Sequence, residues 1–565
     1  AASLALSAVE LLGLRPFAGV GLVLLWCSQR SPISLTAFWV RFGGFVTNVI
    51  YTIAYRRRHP NGDPHRKWLD FYQIHCAAHF EVNGSCQITT LARMAPPPTV
   101  EAVRGAALQL QRRHPLLRAA LCRENGSSLN TPCCDMVFMD SLQGRDVEVL
   151  EHECTLDEAV EREQLDPLAP EVLGWRLAVC GEHLLLTYHH CFMDGVSVMT
   201  ILEHLLEALD GPALKGCAEE ALKGCPGEAL KVCDGEALKG GVVEDVKGST
   251  PEGEMAPPPR DDLPWYAPWV ILPGLKELAA LRAEGPPAWL RPAARAAPWG
   301  ERRLKQARRT LDADITQRLR ERCRKEGTTI SGVLAAAACH VMAEVVGTRD
   351  PLRCKVQVNI RPDCQRDPHT LGNYLGNFRC TLAPEQPLWE LARQHRAELQ
   401  QHRRTGRHLI LAVMPPYPYH MQLAFGEKSH PHPADHPGIG NDLGISNRGA
   451  FSLATQSHSI TAVHWVRQHR GDSDTDFLLL NACSVNGVLC LTLCYKHPIV
   501  DEATIVAIAD GLLDRLVVAA GVPEDVGAVG VAAGVALGGG ATAAGTAADV
   551  AALPGVNVAD YVAVP

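Results

Sequence analysis

The chain lacks the paired CxxC motifs, and the CxxC followed by HxxxH, that close a structural zinc site. No phosphate-cradling G-x-x-x-x-G-K-[ST] loop is present, and GxGxxG-like glycines occur only in a low-complexity tail, which removes the common nucleotide-binding signatures. Gly444 to Gly449 reads GxSxxG rather than GxSxG, so the strained elbow of a serine hydrolase is missing there. Positive charge is in deficit: the formal net charge of −8 excludes general nucleic-acid binding, which needs a basic field. Long apolar runs are missing too. Pro16–Cys27 and Phe42–Tyr55 are each short of a comfortable membrane span, and Arg15 and Arg41 interrupt anything longer. Twenty cysteines in 565 residues fall below the density of a disulfide scaffold and read as reduced, buried thiols in a cytosol-facing protein. Hydrophobic content of 47% and charge of 21% are those of a globular chain, and the length is ample for two substantial cores.

What is present centres on residues 183–197, HLLLTYHHCFMDGVS. A β-forming apolar stretch runs into His189 and His190, and Asp194-Gly195 follows three residues later. Beyond the glycine, Val198, Ile201, Leu202, Leu205, Leu206 and Leu209 fall at helical spacing. The histidines therefore sit where a strand turns into a helix, a place that holds a base rigidly and leaves it reachable. An imidazole there can take a proton from a hydroxyl or amine attacking a carbonyl. The competing plain reading makes them strand-end histidines beside an Asp-Gly turn.

The string matches HHxxxDG at every fixed position and resembles the signature of the chloramphenicol-acetyltransferase-like superfamily. That group holds peptide-synthetase condensation domains, plant BAHD acyltransferases, alcohol acetyltransferases and mycobacterial polyketide-associated acyltransferases. Further segments resemble it in the expected order. Arg113-His114-Pro115-Leu116-Leu117-Arg118 closes an amphipathic helix at Val100–Gln111 and is similar to the RHxxLR element, whose last arginine pairs with the motif aspartate. Gly327–Leu334 opens an Ala-rich helix. Asn359-Ile360-Arg361-Pro362 and Leu371–Phe378 resemble the strand-loop-strand lining the acceptor channel. Leu489–Tyr495 is an alternating strand before a helix at Asp501–Leu516, so the resemblance spans roughly 64–518.

The resemblance implies an α/β fold of two chloramphenicol-acetyltransferase-like subdomains, each a mixed sheet flanked by helices, with an active-site tunnel between them. It makes His190 the general base and Asp194 a structural partner of Arg118, with His189 and Gly195 shaping the turn. Asn377 and Asn447 are expected at the channel wall, and Ser446 or backbone donors near Gly195 at the oxyanion. No metal and no tightly bound cofactor are expected. Departures set the subfamily: the DFGWG string of BAHD enzymes and the FVNT string of condensation domains are absent, whereas Gly444–Gly449 is similar to the SNLG strand end of alcohol acetyltransferase and mycobacterial types. No carrier-protein or adenylation signature occurs in the chain. The expected protein is a free-standing, monomeric O-acyltransferase using acyl-CoA as co-substrate and a small-molecule or lipid alcohol as acceptor. An amide-forming condensation domain with a carrier-bound donor, or a catalytically silent binding module, also fits these residues.

Five segments are expected: an apolar extension at 1–63, a first subdomain at 64–209, a linker at 210–262, a second subdomain at 263–518 and a disordered Ala/Gly/Val-rich tail at 519–565. Within that extension residues 1–55 are the apolar part and Arg56-Arg57-Arg58 follows at once, which fits either attachment to a membrane with the catalytic part on the cytoplasmic side or an ordinary helical extension. The linker repeats an ALKGC-like unit every eight residues, so Cys217, Cys225 and Cys233 read as products of duplication. His430, His432 and His436 fall in a Pro-rich surface loop, and the Asn-Gly-Ser strings at Asn83 and Asn125 read as turns.

Overall fold

A computed structural model describes residues 65–123, 137–142, 145–211, 303–413, 441–467 and 476–522, together with positions 255, 263 and 270. The expectations for the apolar extension, the repeat linker with its cysteines, His430, His432 and His436, Asn125 and the tail beyond residue 522 lie outside the described residues.

In chain order, β1 (Arg66–Trp68) leads into α1 (Phe71–Asn83), whose start Asp70 and Gln73 close with a reciprocal capping box. There follow β2 (Gln87–Ala95), α2 (Val100–Arg113), β3 (Ala120–Arg123), β4 (Val137–Asp140), β5 (Val149–Glu151), α3 (Leu156–Leu165), β6 (Trp175–Cys180), β7 (His183–His189) and α4 (Gly195–Asp210). The second half holds β8 (Arg303–Leu311), α5 (Ala313–Lys325), α6 (Ile330–Val346), β9 (Leu352–Asn359), β10 (Leu375–Leu382) and α7 (Leu388–Thr405). It closes with β11 (Asn441–Phe451), β12 (Ser459–Arg467), β13 (Asp476–Val485), β14 (Val488–His497) and α8 (Glu502–Ala519).

Two mixed sheets carry the architecture. One is ordered β12-β2-β7-β6-β5 and the other β10-β9-β11-β13-β14-β8, beside a small β1-β4-β3 sheet. In the larger sheet β11 runs parallel to both β9 and β13, and the other pairs are antiparallel. This is the expected α/β pattern of two sheets flanked by helices. The element types follow from local chemistry. β7 reads HLLLTYH without alternation because both faces are covered, and Leu184, Leu185 and Leu186 are each fully buried. Each such leucine contributes roughly 1.5–3 kcal/mol of burial. β9 instead alternates, with Leu352, Cys354, Val356 and Val358 inward. In α2 the buried residues Val100, Val103, Ala106, Ala107 and Leu110 form one stripe, and Thr99 caps its start. α6 buries almost its whole length, because alanines let neighbouring helices approach closely.

One strand ties the halves together. β12 follows β11 in sequence, yet it pairs antiparallel with β2 of the first sheet, from Ser459 opposite Ala95 to Arg467 opposite Ile88. Cys483, Val485 and Cys490, from β13 and β14, also pack into the core built around α4 and β7. No described helix is long and apolar enough to cross a membrane, and the one pair that passes by composition, α5 with α6, is bent by 99°. The described cysteines, Cys76 to Cys494, are free thiols.

Candidate active site

β7 sits between β2 and β6 and delivers the histidine pair to the sheet end. The two rings meet different fates. His189 is fully buried, edge-on to Phe80 with 4.6 Å between ring centres. Its Nδ1 accepts the Cys191 N–H at 3.0 Å, so its proton resides on Nε2, which is enclosed. Burial, and then its neighbour His190, push its pKa down to about 3. His189 thus shapes the turn. His190 keeps partial exposure, with its backbone N–H donating to Cys86 O at 2.7 Å. Its Nδ1 lies 2.9 Å from Met193 O, and since a carbonyl can only accept, Nδ1 carries the proton and Nε2 presents a lone pair. Burial lowers its pKa to about 4, against the opposing pull of the Met193 bond. At neutral pH His190 is an uncharged base of fixed tautomer.

Asp194 is the N-cap of α4, accepting the Ser197 N–H at 2.8 Å and its hydroxyl at 3.0 Å. It also takes a bidentate pair from Arg361, Nη1 to Oδ2 at 2.8 Å and Nη2 to Oδ1 at 3.0 Å. Burial opposes its ionisation, but the Arg361 charge and these bonds outweigh burial and hold its pKa below the usual carboxylate range. The partner therefore differs from the expected Arg118. Arg118 ends a one-turn 3₁₀ helix, Pro115–Arg118, that feeds β3 of the small sheet, whereas Arg361 follows β9 and lies 1% exposed beside the motif. Sequence reading had the 359–362 segment in view as a channel wall; an arginine flanked by Asn359 and Pro362 carries no local sign of its long-range partner.

The loop after β9 grips the motif along its length. Gly372 O accepts from Asp194 N at 3.0 Å and lies 2.7 Å from the Ser197 hydroxyl, whose single proton it shares with Asp194 Oδ1; the Gly372 φ of 153° favours glycine. Tyr374 N donates to Asp194 Oδ2 at 2.9 Å, and the Arg361 guanidinium lies 4.7 Å over the Tyr374 ring. Asn373 Nδ2 donates to His190 O at 2.6 Å. Gln73, from α1, adds a bond to Cys191 O at 3.1 Å. Arg361, Asn373, Tyr374 and Gln73 are thus the motif's real supports, and none was assigned that role from sequence.

β11 brings in the remaining candidates. Ser446 and Asn447 stand opposite Asn481 and Ala482 of β13, just before a bulge that ends at Ala450. Asn447 Nδ2 donates to the Ser331 hydroxyl at 3.0 Å and its Oδ1 accepts from Gly449 N at 3.0 Å, so its side chain ties β11 to the start of α6. Ser446 O accepts from Arg448 at 3.2 Å. Arg448 itself presses on Gly195, where any Cβ would overlap its Nε. Asn377 is partly buried on β10 opposite Gln357. Among the described residues no hydrogen bond joins Asn377, Ser446 or Asn447 to the motif; the asparagine that does so is Asn373.

Chemically, the constellation is a lone positioned base. The neighbouring Cys191 is fully buried, and burial followed by the charge of Asp70 raises its thiol pKa well above the ordinary value, so it does not supply a thiolate. Among the described residues no cluster of three His, Cys, Asp or Glu side chains could hold a metal ion.

By sequence, no family model and no curated protein matches the chain. By structure it is similar to the trichothecene 15-O-acetyltransferase TRI3 from Fusarium sporotrichioides, with a TM-score of 0.53 and 11% identity over 80% of this chain and 95% of that one. It is likewise similar to the first condensation domain of the calcium-dependent antibiotic synthetase, with a TM-score of 0.51 and 12% identity over 80% and 96%. Polyketide synthase associated protein 5 from Mycobacterium tuberculosis aligns with a TM-score of 0.47 and 16% identity over 79% and 96%. With two helix-flanked mixed sheets and the HHxxxDG turn at the end of β7, the chain has the fold of the chloramphenicol-acetyltransferase-like, condensation-domain superfamily.

Proposed function

We propose that the chain is an acyltransferase that moves an acyl group from a CoA thioester to an alcohol, forming an ester. The observation that carries this is the state of His190: a neutral ring, its tautomer fixed by Met193 O, with Nε2 lacking a proton. Such a base takes the hydroxyl proton as the alcohol oxygen attacks the thioester carbonyl. The tetrahedral adduct then collapses with cleavage of the C–S bond, and the same Nε2–H protonates the departing thiolate. Protons balance within one imidazole. No covalent acyl-enzyme is required, because proximity of two bound substrates replaces a nucleophile. The first-turn amides of α4 beside Gly195, or the Ser446 hydroxyl, stabilise the oxyanion. In this reading the protein is a monomer facing the cytoplasm, with residues 1–55 as the candidate membrane attachment.

The test is purified protein with mixed acyl-CoAs and either alcohols or amines, with ester or amide read by mass spectrometry. Ester formed by the parent, and a fall of about 10²–10⁴-fold for His190→Ala, supports the reading. Turnover only with an acyl-carrier-protein donor and an amine would replace it with amide-forming condensation. Undiminished turnover by His190→Ala would remove His190 as the base.

A further inference from the structure

The two arginines that touch the start of α4 are treated differently by the fold. Arg361 has a bidentate carboxylate partner in Asp194. Arg448, packed against Gly195, forms no ion pair among the described residues. Its guanidinium lies 3.8 Å over the Trp465 ring. Nη1 donates to Ser446 O at 3.2 Å and Nη2 to Asn481 Oδ1 at 3.1 Å, while Nε is enclosed without a partner. All of these partners are neutral. One N–H on each terminal nitrogen is left uncommitted, available to a carboxylate acceptor. A cation withdrawn from water without an ion-pair partner is costly, and stacking on an indole together with the non-contacting charge of Asp194 recovers only part of that cost.

The location makes this unspent charge informative. Gly195 has no Cβ, and that space is what the Arg448 side chain occupies, so the arginine is seated against the catalytic turn itself. Its charge reaches His190, as does that of Arg467 at the end of β12, and both disfavour the imidazolium. Arg448 as a whole keeps partial exposure, although its Nε is enclosed.

We propose that Arg448 anchors a carboxylate carried by one of the two substrates, so that the enzyme selects an acyl donor or an acceptor bearing an acidic group. This rests on the acyltransferase reading above. A carboxylate would complete the coordination of Arg448 and place a negative charge in direct contact with it, and its bonds would be charge-assisted. Arg448 is then a specificity-determining residue, distinct from the base.

The experiment uses the full chain and its Arg448→Met and Arg448→Lys variants. Acetyl-CoA and succinyl-CoA are each paired with 1-butanol and with 4-hydroxybutanoate. The expected result is a preference of at least tenfold in kcat/KM for one carboxylate-bearing substrate. Preference for succinyl-CoA places the carboxylate on the donor, and preference for the hydroxy acid places it on the acceptor. Arg448→Met should lower that ratio by about 10–100-fold, and Arg448→Lys should restore part of it as a point charge without the fork. If the parent uses neutral and acidic substrates alike, and the ratio is the same in Arg448→Met, the anchor is overturned while acyl transfer stands. If no substrate pair turns over, the acyltransferase reading fails and thermal shift decides the anchor alone. Succinate or 4-hydroxybutanoate raising the parent Tm but not that of Arg448→Met supports it, and equal shifts overturn it. A ligand-free Arg448→Met that melts well below the parent would mark Arg448 as purely structural, which also overturns the proposal.

Discussion

Replacing Asp194 by alanine should cost the fold more than it costs any chemical step, because the carboxylate is a junction of charge and backbone. It accepts both terminal nitrogens of Arg361, the N–H and hydroxyl of Ser197, and the N–H of Tyr374. Alanine leaves Arg361 as a cation with 1% of its side chain exposed and no counter-charge. Breaking a buried pair from one side costs about 3–5 kcal/mol. Taking about 4 kcal/mol, the folding equilibrium shifts about a thousandfold. The α4 cap is lost in the same stroke, which moves the value toward the upper end. Urea unfolding followed by tryptophan fluorescence and circular dichroism reads this as a lower midpoint at similar slope. Arg361→Met alone should be nearly as damaging, since it strands the carboxylate. The double variant should be less destabilised than the sum of the singles by about 2 kcal/mol or more, as expected of direct partners. Arg118→Ala is the control and should change stability by less than about 1 kcal/mol. An Asp194→Ala midpoint equal to the parent's would refute the reasoning, and so would an Arg118→Ala loss as large as that of Arg361→Met.

Three further expectations concern the same turn. Because burial holds the His190 pKa at about 4, the acid limb of kcat/KM should fall near pH 4. A limb near 6.5 would show that the ring titrates as if in water. His189 and His190 have folded pKa values of about 3 and about 4, below an unfolded value of about 6.5. Their contribution to stability is therefore complete above about pH 6.5 and declines as pH falls toward the folded values, where only the unfolded chain binds the protons. Denaturation midpoints measured between pH 8 and 4 check this, and a flat profile would contradict it. Gly195→Ala should cost about 1–3 kcal/mol, because the new Cβ overlaps Arg448 Nε and sits 2.8 Å from its Cδ. Adding Arg448→Ala should recover most of that loss, and absence of any loss in the single variant would show that the side chain moves aside freely.

The element types were legible because they rest on local rules. The helical spacing after Gly195 appears as α4, and the expected helix from Asp501 appears as α8 with Asp501 as its cap. The Ala-rich helix after Gly327 is α6, started by Thr329. The histidine motif was legible as a strand-to-helix turn, and its seven residues belong to one stretch of backbone. Its supports were harder to read. Arg361 is 167 residues from Asp194 and Asn373 is 183 from His190, and neither distance leaves a periodic trace.

What the sequence by itself determined was therefore the turn that carries His190, since spacing, glycine and capping chemistry act within a few residues. Only the tertiary structure decided who holds that turn and what lies beside it. β12 leaves its neighbours in the chain to pair with β2, the loop after β9 supplies Arg361 instead of Arg118, and Arg448 occupies the space that Gly195 leaves open. The physical reason is that a buried charge or an unpaired amide is satisfied by whatever the packed sheets bring within hydrogen-bond reach, and sequence separation does not enter that distance.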